Sequence, residues 1–342
     1  MPEKDNNQRP VPASEQLPTT SQEQPQFGSF ETRGLSLADA EGTSVEKHGE
    51  YNAPEVQGPQ DKPRGAWGEA WRELRGNPRF YLSGVLLLVL IVMAIHPKLF
   101  TDRNPRNCPI GSANLSPGGG HLFGTNVQGC DVYARTVYGA RDSITVGVVT
   151  TIVVVIIGGL IGAFSGYFGG WIDAVLARVT DVFFGIPLLL GALVFMSAFT
   201  DRTVWTVVAA LGIFGWMQIA RIMRGSVITV KEADYVVAAR ALGAGTRRIL
   251  FRHVLPNAIA PVIVVATISL GTFIAAEATL SFLGIGLPSS SISWGADITS
   301  ATDVIRDHAY QLFFPSLFLS VTVFSFILLG DAVRDALDPK LR

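Results

Sequence analysis

Residues 231–257 read KEADYVVAARALGAGTRRILFRHVLPN, and this stretch decides how the chain is arranged. It is rich in Ala, carries Arg240, Arg247, Arg248 and Arg252, and lies between two long apolar runs. A basic helical segment bracketed by membrane spans belongs on the cytoplasmic side, because Lys and Arg accumulate in inner loops. That placement sets the direction of every other crossing. It also puts a basic surface where a soluble partner can reach it.

Composition agrees. Of 342 residues, 48% are hydrophobic and only 16% are charged. This balance, with long apolar runs, excludes an ordinary soluble enzyme and predicts an all-α integral membrane protein. The net charge of −1 gives no basis for a nucleic-acid partner. Five His and two Cys are too few and too scattered for a metal cluster. The opening is different material. Residues 1–66 are polar and rich in Gln, Pro, Ser and Glu, and bury too little apolar area to offset chain entropy. They are expected to form a disordered cytoplasmic tail, without the apolar core of a signal peptide.

From 67 to 79 an amphipathic helix is expected at the inner membrane surface. Trp67, Trp71 and Leu74 share one face, while Arg72, Arg75 and Arg79 supply positive charge. Pro78 should end or kink it. A membrane-spanning body then fills 80–342, with six spans near 80–95, 144–164, 172–199, 204–223, 258–283 and 312–329. Pro187 should kink the third. Gly158, Gly159 and Gly162 offer close helix contacts in the second. Residues 96–142 form an extracytoplasmic loop with turn signals at Asn104-Pro105 and Pro117-Gly118, and turn helical from 127. Residues 224–257 form the cytoplasmic loop. The outer loop over 284–311 is acidic, with Asp297, Asp303 and Asp307 against Arg306. Both termini fall inside. Lys98, Arg103, Arg106, Arg135 and Arg141 run against the charge rule in the first outer loop, but long loops cross largely regardless of charge.

Catalytic signatures are missing from the sequence. GAGTRR at Gly243 has the glycines of a phosphate-binding loop without its Lys-Ser/Thr. No HExxH, GxSxG or paired-Cys metal signature occurs. The chain is expected to be a conduit, not an enzyme. In the basic segment, Ala233, Ala238, Ala239, Ala241 and Ala244 make a slim helix that a groove can accept. Gly243 interrupts it, Arg240 projects a fixed charge, and a second helix is expected over 246–254. The bland alternative is a solvated loop.

At these residues the chain resembles a family. Val237-Ala238-Ala239, then Gly243, then His253-Val254-Leu255-Pro256 keep the spacing of the EAA loop of bacterial binding-protein-dependent ABC importer permeases. Val237 stands where the pattern has Glu, and His253 where it has Ile. HLFGTNVQGCDVYARTVYGARDSITVG from His121 is similar to HPFGTDxxGRDxxSRxxYGARxSLxVG of the dipeptide, oligopeptide and nickel subgroup. FSGYFGGWIDAVLARVTDVFFGIP, EATLSFLGIGLP with Ser293-Trp294-Gly295, and LLGDAVRDALDP follow in that subgroup's order. The resemblance runs from about Trp67 to Arg342 and is closest to the "C" permease of peptide systems.

The resemblance implies a type I ABC importer permease with six transmembrane helices in the bacterial plasma membrane. It implies a second homologous permease, two ATP-binding subunits and an extracytoplasmic solute-binding protein as partners. ATP and magnesium belong to the ATPase subunits, with no cofactor in this chain. Peptides are the implied cargo. Nickel chelates, glutathione and haem remain alternatives, and a secondary transporter is the reading from another class. Ala238, Ala239, Arg240, Leu242, Gly243 and Ala244 are expected to couple to an ATPase groove. Glu277, deep in the fifth span, should line a pore or gate or pair with the other permease, since a membrane-buried carboxylate needs company. Asp181 should pair with Arg178 or Arg221. Cys108 and Cys130 both fall in the outer loop, in an oxidising compartment, which suggests a disulfide. Cys130 stands where the subgroup's GRD motif has Arg.

Overall fold

A computed structural model describes residues 66–288 and 290–337. The expected disordered tail over 1–66 lies outside the described residues except at 66, as do 338–342. Among the described residues the fold is all helical, with two isolated β-bridges in the first outer loop.

Helix α1 (Ala66–Gly76) lies against the last helix, and the Arg75 guanidinium sits 5.0 Å from the Trp71 ring centroid. Pro78 does not kink α1. It opens α2 (Pro78–Ile95), where a missing N–H costs nothing, and the Asn77 side chain caps the turn by accepting from the Arg79 N–H at 2.9 Å. After the outer loop, Asp131 caps α3 (Val132–Phe168), its carboxylate accepting from the Ala134 N–H at 2.8 Å. This helix has 37 residues. At 1.5 Å per residue it is about 55 Å long, against a hydrocarbon core of about 30 Å. The separate loop helix and second span read from the sequence are therefore one rod that projects beyond the membrane.

The next two spans are broken. Helices α4 (Gly170–Phe184) and α5 (Leu188–Ser197) meet at 79°, with Pro187 at the break, as the sequence indicated in kind. Helices α6 (Val204–Gly215) and α7 (Met217–Lys231) meet at 45°, a bend not read from the sequence. Its cause is tertiary. Phe273 packs so close to Gly215 that a β-carbon there would lie 2.9 Å from its ring. The cytoplasmic loop holds α8 (Asp234–Ala241), α9 (Thr246–Ile249), a π-helical turn over Leu250–Val254, and α10 (Leu255–Ala258). The helix expected over 246–254 thus continues to 258, loosened where Pro256 has no N–H to give. Then follow α11 (Ala260–Phe282), the short outer helix α12 (Trp294–Ala301) and α13 (Tyr310–Leu337).

Four helices, α2, α3, α11 and α13, are long and apolar enough to cross a membrane, and counting each bent pair as one span brings the number up to six. Two buried clusters hold the bundle. One joins the inner part of α3 to α5, α6, α7, the cytoplasmic loop and α11; the other joins α2, the outer part of α3, α13 and Trp294. The α3–α7 contact depends on glycine. A methyl on Gly158 would lie 2.5 Å from the Trp216 carbonyl oxygen, one on Gly162 would strike the Ala220 carbonyl, and one on Gly166 would lie 2.7 Å from the Arg224 carbonyl. These positions repeat every four residues, so they form one stripe. Gly159, expected in the seam, is off it: its nearest neighbour would be the Met223 methyl at 3.9 Å. Gly166 takes its place.

Candidate functional site

The cytoplasmic loop is built as an exposed cap on buried anchors. Val236, Ile249, Leu250, Val254 and Ala258 are buried in the inner cluster. Lys231 adds a tie, donating from Nζ to the Gly166 carbonyl at 2.8 Å. Helix α8 ends where Gly243 takes φ +82°, a conformation that favours glycine. The Gly243 N–H then reaches the Arg240 carbonyl and the Ala244 N–H reaches the Ala239 carbonyl, both at 3.0 Å. This is a Schellman-type stop. It presents Leu242 at the tip, 89% exposed.

Of the six residues expected to couple, Ala238, Arg240, Leu242 and Gly243 are exposed. Ala239 and Ala244 are half-buried, and Ala244 packs against the inner cluster. Sequence reasoning missed two exposed apolar residues on the same surface, Val237 and Phe251. The signal for Val237 was present, since it lies one turn before Arg240 and Ala241 on α8. Phe251 has no comparable signal, because the π-helical turn changes its facing. With Arg247 and Arg248 it lines a recess of ≈ 680 Å³. Exposed apolar side chains ringed by Arg on a rigid loop suit protein docking, and offer no acid, base or nucleophile for catalysis.

Asp181 and Arg221 are joined, with Nη2 2.8 Å from Oδ1, and the guanidinium lies 3.8 Å over the Phe184 ring. Each side chain is about half exposed. A second pair, unread in the sequence, ties the same two helices more firmly. Arg224 donates from Nε and Nη2 to both oxygens of Asp173, at 2.6 and 2.7 Å. Asp181, Arg221 and Arg224 line a cavity of ≈ 410 Å³ between α3, α4 and α7.

Glu277 is 0% exposed in this chain, enclosed by its own helices. Its company is internal. The hydroxyls of Ser281 and Ser293 donate to Oε1 at 2.9 and 3.2 Å, and that of Ser143 to Oε2 at 3.3 Å. Each serine in turn accepts a backbone N–H, from Leu287, Ala296 and Trp294 respectively. The carboxylate thereby fastens α3, α11 and the start of α12 together. The EATLSF and SWG motifs are the two sides of this knot.

On the outer side Cys108 and Cys130 form a disulfide. Asp131 gathers His121 Nδ1 at 2.8 Å and Arg103 Nη1 at 3.2 Å, while Arg103 Nη2 donates to the Gly120 carbonyl at 2.6 Å. Arg135 is buried against Asp297, with Nε 2.7 Å from Oδ1. Burial pushes the Asp297 carboxyl above the ordinary carboxylate range, with Arg135 pulling it back. The Tyr310 hydroxyl donates to the Leu115 carbonyl at 2.8 Å. The first outer loop is thus a pinned cover over the bundle.

An all-helical bundle with four to six membrane-length apolar spans and an exposed loop on buried anchors is the architecture of a multi-pass membrane protein. The comparisons agree. Residues 158–342 match the family model described as the binding-protein-dependent transport system inner membrane component, and residues 65–117 match the N-terminal transmembrane domain of oligopeptide transport permease C. The chain belongs to this family of binding-protein-dependent transport permeases. It is 35% identical to the oligopeptide transport system permease protein OppC of Bacillus subtilis, over 85% of this chain and 95% of the relative. It is 38% identical to the dipeptide transport system permease protein DppC of the same organism, over 80% and 86%. It is 37% identical to the glutathione transport system permease protein GsiD of Salmonella typhimurium, over 82% and 93%. The fold is shared with the MetNI methionine ABC transporter in an inward-facing conformation, with TM-score 0.50 and 20% identity, over 59% of this chain and 96% of that one.

Proposed function

We propose that this chain is the transmembrane subunit of an ATP-driven importer that carries peptides into the cell by alternating access. The observation that carries the reading is the cytoplasmic cap, where Leu242, 89% exposed, stands on anchors buried in the core. A push on such a cap moves α7 and α11 as bodies, because the anchors leave it little freedom to yield. In this reading one of two ATPase subunits docks on Val237, Ala238, Arg240, Leu242, Gly243 and Phe251, the other docks on the second permease, and the two supply ATP and magnesium. A second homologous permease completes the path, and a solute-binding protein delivers cargo from outside. The chain crosses the bacterial plasma membrane six times with both termini in the cytoplasm. Peptide cargo is supported by the oligopeptide and dipeptide permeases among its relatives, and the glutathione relative falls within the same cargo class, glutathione being a tripeptide.

The test is mild-detergent purification of the tagged chain from its native host, with mass spectrometry of what accompanies it. The expected companions are ATPase subunits, a second permease and a solute-binding protein. Leu242→Asp should keep the permease pair and lose the ATPase subunits. Because Leu242 buries almost nothing in this chain, that loss would come from docking and not from misfolding. Recovery of the chain alone, active without ATP, would refute the reading.

A further inference from the structure

The outer loop carries five cations against the positive-inside trend, and two are answered inside the chain. Arg135 is buried against Asp297, and Arg103 is held by Asp131. The others are not. Lys98 and Arg141 form no hydrogen bond or ion pair among the described residues, and Arg106 spends only Nη1, on the Ser290 carbonyl at 3.3 Å. All three, with Arg103, line one cavity of ≈ 550 Å³ on the outer side. Its wall also holds Asp102 and Asp142, and Tyr138 and Ile292 give it an apolar patch. The volume is that of a small-molecule site. Cations gathered along the wall of a concavity raise the local concentration of anionic groups there. Two carboxylates within the same wall make the site bipolar.

We propose that this outer cavity is a transient subsite for a zwitterionic solute on its way to the transmembrane path. Lys98, Arg106 and Arg141 receive its carboxylate, and Asp102 or Asp142 its ammonium. The proposal rests on the peptide reading above, since a short peptide with free ends has both groups. Tyr138 and Ile292 offer a surface to the side chains between them. The contacts are reversible because the cavity is open to water and the charges are screened there. A site on the way to a path must hold its solute weakly enough to release it.

The test uses the complete importer in proteoliposomes, with each peptide at a concentration that saturates the solute-binding protein, so that the maximal rate reads the permease. Lys98→Gln and Arg141→Gln are exposed changes that break no hydrogen bond or ion pair among the described residues, so folding is spared. The maximal rate for a dipeptide with a free carboxyl end should fall about tenfold, the effect of one lost charge-assisted contact. The rate for the same dipeptide carrying a C-terminal amide should stay at that of the unmodified importer. Equal losses for both peptides, or no loss for either, would overturn the proposal. So would weaker retention of the solute-binding protein by the variants, which would make the cavity a docking point for that protein's acidic side chains. Failure of the unmodified importer to move any peptide would instead sink the peptide reading, and the subsite with it.

Discussion

Asp297→Ala is the sharpest test of how the outer cover is held. The change leaves the Arg135 guanidinium, whose side chain is 9% exposed, without its partner 2.7 Å away. Breaking a buried pair from one side costs about 3–5 kcal/mol, because the remaining charge is uncompensated. For a chain of this size that corresponds to a fall of about 4–7 °C in the midpoint of thermal unfolding. Removing both charges should behave oppositely. Burial raises the Asp297 carboxyl in spite of Arg135, so desolvation outweighs the attraction between the two groups. Arg135→Met with Asp297→Leu should therefore match or exceed the starting stability. The same direction sets the sign of the pH dependence. The folded state holds this proton more tightly than the unfolded one, so the group's contribution is best in acid and declines as pH rises from the ordinary carboxylate value through the raised one. The assay is thermal unfolding of the purified complex followed by tryptophan fluorescence. Trp294, fully buried at the start of α12 with Nε1 2.8 Å from the Thr136 carbonyl, reports on this region. A double variant as unstable as Asp297→Ala would refute the reasoning, since loss of shape and not of charge balance would then set the cost.

Two further outcomes follow from packing and covalent closure. Gly162→Ala should cost about 1–3 kcal/mol as its methyl meets the Ala220 carbonyl, while Gly159→Ala, facing only the Met223 methyl at 3.9 Å, should be neutral or better; equal thermal midpoints for the two would contradict the glycine stripe. Cys108→Ser with Cys130→Ser opens a loop of sequence separation 22, and loop-closure entropy places the loss at about 3 kcal/mol. Reductant should lower the midpoint of the unmodified chain and leave the double variant unmoved. Alkylation of both cysteines without reductant, seen by intact mass, would count against the bridge.

Much of this protein is legible in one dimension. Apolar run length determines that the chain crosses a membrane more than once, because hydrocarbon thickness acts on local segments. The spacing of Ala238-Ala239, Gly243 and Leu255-Pro256 marks the loop between α7 and α11, because a helix stop and a proline leave their marks in the residues themselves. Asp181 with Arg221 was among the pairings open to the sequence, and the two cysteines sharing one loop pointed to their bridge. Other features exist only in three dimensions. Whether Glu277 meets a pore, a partner or its own chain depends on Ser143, 134 residues away, and on Ser293. Gly166 and not Gly159 belongs to the seam because the α3–α7 crossing selects one face of the helix. The bend at Trp216 answers to Phe273, which belongs to another span. The exposure of Phe251 follows from a π-helical turn that no residue type announces. Local propensity and transfer energy are written residue by residue; the choice of which face meets which neighbour is made only when the helices pack.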